Sequence, residues 1–352
     1  MINHMAKYST IAVIYGSDTS ESEVSCRSGE FVASRIDGNE YDIYEIYARF
    51  GKWSLVACKK KNSMRITFPD GARPSVDKND FSVNVLGEKV KFDYAYIVQH
   101  GAPGETGQLQ GYLEIMNVPF NTCDSFVSAI AFDKYSCKSS IKDSGLVKLA
   151  PDCYIRQGLD LKSFCDKVES SLKFPVFVKP TKGGSSFGVT RVTRAEELAS
   201  AVQYAFSEGP AVLVEQGLCG REITCAAYFD GKEVKTLPLI EIVTDNDYFD
   251  YDAKYNGQVQ EITPARLSEE TAQRVAQLTS HIYDILRCNG IIRIDYIIGK
   301  GKGRNGETVD KIQMLEINTT PGMTLTSFIP QQVKAAGLEM KDVLTDIVEN
   351  QF

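Results

Sequence analysis

Residues 291–298 read IIRIDYII and residues 314–318 read MLEIN. Both runs alternate with the two-residue period of a half-buried strand. In the first, that period sets Arg293 and Asp295 on one face and Ile292, Ile294 and Tyr296 on the other. In the second, Glu316 and Asn318 share a face opposite Leu315 and Ile317. Pairing of strands 291–298 and 312–317 across the glycine-rich segment between them would make Asp295, Glu316 and Asn318 converge. Three hard oxygen donors together are the set expected for Mg2+ bridging phosphates. The plainer alternative is an ordinary hairpin with a charged outer face. The connecting GKGRNG (301–306) fits G-x-G-x-x-G literally, yet it joins two strands and opens no helix, so it reads as a hairpin loop and not as a dinucleotide fingerprint.

Upstream, KPTKGGSSFG (179–188) lies between two short predicted strands, 175–178 and 189–192. Its three glycines allow close backbone approach, successive N–H groups can form an anion-binding nest, and two lysines supply charge. A polyphosphate suits such a loop, although a hairpin tip with solvated lysines is the bland alternative. No G-x-x-x-x-G-K-[ST] occurs, so this is not a P-loop.

The chain has 352 residues, 43% of them hydrophobic and 24% charged, with a formal charge of −7. At roughly 100 to 200 residues per domain, that length predicts two or three domains. The acidic balance argues against nucleic acid as a partner. No apolar run approaches the roughly 20 residues of a membrane span, and MINHMAKYST has no signal-peptide core, so a cytoplasmic setting is expected. Nine cysteines without a C-x-x-C pair read as reduced packing residues.

The spacing predicts a strand at 10–15, a helix at 21–35, a strand at 93–99, a helix at 125–140 and another near 195–206. A strand follows at 211–215, with an Asp230-Gly231 hairpin after it. A polar loop at 244–263 reads as a lid. Ser268 is a natural N-cap for a helix carrying Val275, Leu278, Ile282, Ile285 and Leu286, stopped by Asn289-Gly290. These elements divide the chain into an N-terminal open α/β part (1–122), a small central α+β part (123–212) and a C-terminal α+β part (213–352). Among single residues, His100 follows a strand and precedes a glycine-rich loop, a placement that serves ligand binding or simple packing. Glu23 stands just inside a helix start, where the helix dipole alone favours a carboxylate.

Four motifs in order, ESEVSCRSG (21–29), HGAPGETGQLQG (100–111), KPTKGGSSFGV (179–189) and IRIDY with LEINTTPGMT (292–324), make the chain closely resemble the D-alanine-D-alanine ligases of the ATP-grasp superfamily. The likeness covers nearly the whole chain and implies an ATP-grasp fold with a pre-ATP-grasp N-terminal domain. It implies that Lys134, Lys179, Ser185, Glu215, Gln216, Leu218, Glu222 and Lys254 bind ATP, with the first two lysines on phosphates and Lys254 closing over the γ-phosphate. Glu215 and Leu218 would frame the adenine and Glu222 would hold the ribose. Gln216 stands where the family usually has a second polar or basic residue, directly after the adenine-contacting glutamate. Asp295, Glu316 and Asn318 match a site for two Mg2+, with Mn2+ possible in their place.

For the amino acids, the resemblance implies that Glu23 pairs with the ammonium of the first D-alanine, with His100 lining that subsite. Arg293 and the Gly322 N–H would form an oxyanion site, and Ser327 would hold the second carboxylate. Phe328 stands where leucine is common. Ser185 and Tyr255 would link Glu23 to the lid. Tyrosine in the lid goes with dipeptide synthesis, so D-alanyl-D-alanine is expected, by way of a D-alanyl phosphate, for peptidoglycan precursors. A homodimer is implied too. The alternatives are a D-alanine-D-serine or D-alanine-D-lactate ligase, or a nucleotide-binding regulatory protein without turnover.

Overall fold

The run TIAVIY becomes the strand Thr10–Tyr15, buried at every position after the first. Burial on both faces marks a central strand covered from each side. In the computed structural model, which describes residues 6–184, 187–244, 259–303, 305 and 307–350, this strand pairs in parallel with Asp42–Arg49 and Tyr94–Ile97. Its alternation feeds two cores: Ile11, Val13 and Tyr15 face one, Ala12 and Ile14 the other. The expected α/β layer is therefore present. Antiparallel strands Lys52–Lys59 and Ile66–Thr67 widen it to five strands, and a meander of Val76–Asp77, Ser82–Val85 and Glu88–Lys91 lies beyond.

Helix Ser22–Arg35 covers the first core with Val32 and Ala33. Beside it pack the last two helices of the chain, Phe328–Ala335 and Met340–Asn350, through Ile329, Val333, Leu344 and Ile347. Glu349 fixes that return: one oxygen accepts from the Tyr41 hydroxyl at 2.6 Å and the other from the Lys7 N–H at 2.9 Å.

The central sheet is antiparallel, in the order Asp152–Arg156, Ala211–Gln216, Val176–Pro180, Thr190–Val192. Its last two strands flank the glycine-rich loop as the sequence predicts. Its core draws on residues from Cys153 to Val214. Residues 123–147 pack elsewhere: Cys123, Val127, Cys137, Ile141 and Val147 join the core of the third sheet. The single helix expected over 125–140 is also two, Ser125–Phe132 and Lys134–Lys142. Asp133 between them is extended, and its carboxylate caps the Ser136 N–H, so the second helix starts anew at Lys134.

Among the described residues the third sheet has seven strands. At its centre Ile292–Lys302 lies between Arg221–Phe229 and Thr308–Asn318. Strand Val259–Ile262 pairs with Ile240–Thr244, so part of the expected 244–263 loop is sheet; residues 245–258 lie outside the described residues. Helix Glu269–Leu286 begins at Ser268, whose hydroxyl accepts the Thr271 N–H. Val275, Ile282 and Leu286 are buried beneath the sheet, whereas Ile285, expected on that face, is 45% exposed because it lies one position off the buried stripe.

The helix ends with Arg287 left-handed, and Gly290 follows at φ +69°. A Cβ at Gly290 would stand 1.7 Å from the Asn121 carbonyl oxygen, whereas one at Gly145, also left-handed at φ +67°, would meet nothing. Both substitutions to alanine carry left-handed strain of about 1 kcal/mol; only Gly290→Ala adds a backbone clash. Thermal melting should separate them, with Gly290→Ala lowering Tm by far the more. Equal losses would contradict this packing.

Candidate active site

The ladder between Ile292–Lys302 and Thr308–Asn318 sets Arg293 opposite Asn318 and Asp295 opposite Glu316. The expected convergence of Asp295, Glu316 and Asn318 follows from that register. A β-bulge interrupts it: Asp295 pairs with Glu316 but Tyr296 pairs with Met314, leaving Leu315 unpaired. Leu315, expected on the face opposite Glu316, is turned into the cleft, while Met314 and Ile317 stay in the core. Arg293 grips Asp295 with two bonds, Nε to Oδ1 at 2.9 Å and a terminal nitrogen to Oδ2 at 2.8 Å. Burial would lower the arginine pKa, but Asp295 raises it overall, so the guanidinium stays charged. The Asn318 amide also reaches Asp295 Oδ2, at 3.4 Å.

These donors suit a cation that prefers oxygen. Among the described residues no cluster of three His, Cys, Asp or Glu side chains is poised for a metal, so a three-ligand site here would take the Asn318 amide oxygen as its third donor.

Facing the acidic ladder are the lysines. Lys134 Nζ donates to the Gly183 carbonyl at 2.8 Å, and its N–H to Thr181, which pins the glycine-rich loop to the helix start. Lys179 Nζ donates to Glu215 Oε2 at 2.7 Å. Burial works against the Lys179 charge, but Glu215, Glu316 and Glu222 outweigh it and raise the pKa. Glu215 meets a second cation that sequence reasoning missed: Lys138 donates to Oε1 at 2.5 Å. Burial alone would raise the Glu215 carboxyl; the two lysines hold it at about 2. The i, i+4 spacing of Lys134 and Lys138 on one helix was the available signal. Leu218 and Glu222 line the cleft, as does Gln216, whose side-chain oxygen accepts the Lys173 N–H.

The carboxylate of the first motif needs correction. Glu23 is exposed in the first turn of helix Ser22–Arg35 and does not line the cleft. Glu21, two residues earlier at the N-cap, does. Two residues on a helix are about 200° apart, so the two carboxylates cannot share a face. A Cβ at Gly184 would stand 2.8 Å from Glu21 Oε2 and one at Gly101 3.2 Å from it, so this carboxylate sits where the phosphate loop meets the His100 loop.

His100 lines the same cleft, with both ring nitrogens engaged. Nδ1 lies 3.1 Å from the Thr320 carbonyl, which can only accept, so the proton sits on Nδ1 and Nε2 accepts from the Ser28 hydroxyl at 3.0 Å. Ser28 in turn accepts the Met323 N–H. Burial lowers the imidazole pKa and favours this neutral form. His100 thereby ties segment 320–323 to the first helix.

That segment leads to Gly322, Ser327 and Phe328, all on the cleft. Ser327 Oγ accepts the Thr324 N–H at 3.0 Å, and the Phe328 ring lies 5.3 Å from the Arg293 guanidinium, in cation–π range. Together these walls enclose about 840 Å3. Ser185, Lys254 and Tyr255 lie outside the described residues.

Two family models match the chain. One described as D-ala D-ala ligase N-terminus matches residues 10–123, and one described as D-ala D-ala ligase C-terminus matches residues 142–349. The chain belongs to the D-Ala D-Ala ligase family. A D-alanine–D-alanine ligase of Bacteroides fragilis is 48% identical over 97% of this chain and 99% of its own length. One of Phocaeicola vulgatus is 46% identical over the same shares. Among solved structures, the VanG D-Ala:D-Ser ligase of Enterococcus faecalis superposes with a TM-score of 0.81 at 27% identity, covering 98% of this chain and 100% of that one. A Bacillus anthracis D-alanine–D-alanine ligase complexed with ATP gives 0.72 at 28% identity, over 98% and 97%. The fold is thus the ATP-grasp fold of these ligases.

Glu105, which sequence reasoning passed over, is half-buried in the ligase cleft and accepts the Gly101 N–H at 3.0 Å. Burial first and the Glu21 charge second push its carboxyl from 4.5 up to about 8. The folded state keeps this proton to about pH 8 while the unfolded chain releases it near 4.5, so stability is lost as pH rises between those values. Glu105→Gln removes that titration. The fall in Tm between about pH 5 and about pH 8.5 should be smaller in the variant than in the parent; equal falls would contradict the burial of this proton.

Proposed function

We propose that the protein joins two D-alanine molecules to D-alanyl-D-alanine with ATP as phosphoryl donor, releasing ADP and phosphate. The observation that carries this reading is the meeting, in one cleft, of Glu21, Lys134 and Lys179 with the Arg293, Asp295, Glu316, Asn318 ladder; Lys182, the other lysine of the glycine-rich loop, does not line it. The family relationship over both halves of the chain supports it.

In this reading a carboxylate oxygen of the first D-alanine attacks the γ-phosphorus and ADP leaves, forming D-alanyl phosphate. The amine of the second D-alanine then attacks the activated carbonyl, a C–N bond replaces the C–O bond to phosphate, and the nitrogen gives up a proton. No enzyme nucleophile is needed; positioning and electrostatics carry the reaction. Glu21 takes the role first given to Glu23 and pairs with the first ammonium. Lys134 and Lys179 hold phosphates, with Leu218 and Glu222 toward adenine and ribose. Asp295, Glu316 and Asn318 would hold two Mg2+, which neutralise phosphate charge when bound. Arg293 and the Gly322 N–H serve the oxyanion, and Ser327 serves the second carboxylate. Ser185, Lys254 and Tyr255, which the resemblance assigns to the phosphate site and the lid, lie outside the described residues.

Three parts with their own sheets around the cleft, a homodimer, and a cytoplasmic setting that supplies ATP and keeps nine cysteines reduced complete the proposal. D-Alanine–D-serine synthesis is not favoured, because the relatives at 46–48% identity carry the D-alanine–D-alanine name. The product of a synthesis containing both D-alanine and D-serine separates the two.

The direct assay is ATP-dependent phosphate release with D-alanine and with L-alanine. Release with D-alanine is expected, and its absence would overturn the reading. In the same assay Glu21→Gln should lose about ten- to hundredfold in kcat/KM, the worth of a charged hydrogen bond. Glu23→Gln, on the surface, should change it by about twofold at most. The reverse order would restore Glu23 to the site.

A further inference from the structure

Lys138 is 5% exposed and does not line the cleft, yet it makes three close polar contacts. Its helix belongs to the third core through Cys137 and Ile141. Its Nζ leaves that core and crosses to the central sheet. There it meets the Ala150 carbonyl at 3.0 Å, Asp152 Oδ2 at 2.6 Å and Glu215 Oε1 at 2.5 Å. An ammonium has three N–H donors, and three acceptors surround it. Glu215 passes the connection on, since its other oxygen takes Lys179 Nζ at 2.7 Å. The chain of charge therefore runs Asp152, Lys138, Glu215, Lys179 and ends on the cleft wall, where Lys179 is a lining residue and Lys138 is not.

We propose that Lys138 is a positioning residue of the nucleotide site, fixing Glu215 so that Lys179 is presented to the phosphate chain at a set place between the central and third sheets. The proposal rests on the ligase reading. With Lys138 present, one Glu215 oxygen is committed to it and the other holds Lys179 Nζ at 2.7 Å, which sets the direction in which that ammonium is presented to the cleft. Without Lys138, the half-buried Asp152 and the buried Glu215 are two carboxylates that border the vacated space, and Lys179, already bonded to Glu215, is the cation left to answer them. A lysine drawn toward two carboxylates is withdrawn from its ligand. The helix that begins at Lys134 also loses its charged anchor to the strands carrying Glu215 and Lys179, so both phosphate-side lysines shift relative to each other.

Lys138→Gln removes the charge while keeping a donor, Lys138→Met removes both, and Lys138→Arg keeps the charge. The measurement is steady-state KM for ATP and for D-alanine together with kcat, supported by titration of the full-length protein with MgADP. KM does not depend on the active fraction, so poor folding of a variant changes apparent kcat and leaves the test intact. The expected result is a rise of about tenfold or more in KM for ATP and in the MgADP dissociation constant for Lys138→Gln and Lys138→Met, with KM for D-alanine within about threefold. Lys138→Arg should stay within about threefold of the parent in KM for ATP. An unchanged KM for ATP in Lys138→Gln, or an equal rise in Lys138→Arg, would overturn the proposal. Absence of D-alanine-dependent turnover in the parent protein would instead strike the ligase reading itself, so the two failures are distinguishable.

Discussion

The antiparallel ladder that sets Arg293 opposite Asn318 and Asp295 opposite Glu316 is the constraint on which the cleft depends. Because strand side chains alternate, a slip of one residue would turn both carboxylates into the apolar core and bring Ile294 and Ile317 out. The core forbids it: Ile292, Ile294, Tyr296, Met314 and Ile317 pack beneath the sheet against helix Glu269–Leu286. Hydrophobic burial on one face thus fixes the chemistry presented on the other. The bulge at Leu315 spends one residue without disturbing the Asp295 to Glu316 pair.

Charges gathered in so enclosed a place have to be matched there, since an unpaired buried ion costs several kcal/mol. Arg293 answers Asp295, Lys138 and Lys179 answer Glu215, and Arg221 and Arg266 both bond Glu241, holding its carboxyl at about 2. Glu105 is treated differently and keeps its proton instead. Each of these carboxylates thus has its cation or its proton before any ligand arrives.

Much of this was legible in the sequence because period two, a turn chemistry or a cap carried it. Asp295, Glu316 and Asn318 came from strand alternation, and the Ser268 cap and the Gly290 stop bounded the longest helix. The rest failed for physical reasons. Glu21 and Glu23 both lie in ESEVS, and the helix dipole favours an acid at either place, so only the helical phase tells which one faces the cleft. The break at Asp133 lies inside an otherwise helical pattern and shows only when its carboxylate is seen capping Ser136. Leu315 breaks the alternation because bulges leave no mark in a hydrophobic pattern. Nothing in the sequence singles out Lys138, since burial of a charge is decided by partners that lie 14 and 77 positions away.

The central claim is that this cleft activates a carboxylate by phosphoryl transfer with no enzyme nucleophile. D-Alanine labelled with 18O in its carboxyl group, incubated with MgATP and the protein, tests it most directly. The account requires one labelled oxygen to leave with each phosphate, because the bond broken in the second step joins the former carboxyl carbon to that oxygen. Phosphate free of label, formed in step with the dipeptide, would contradict it.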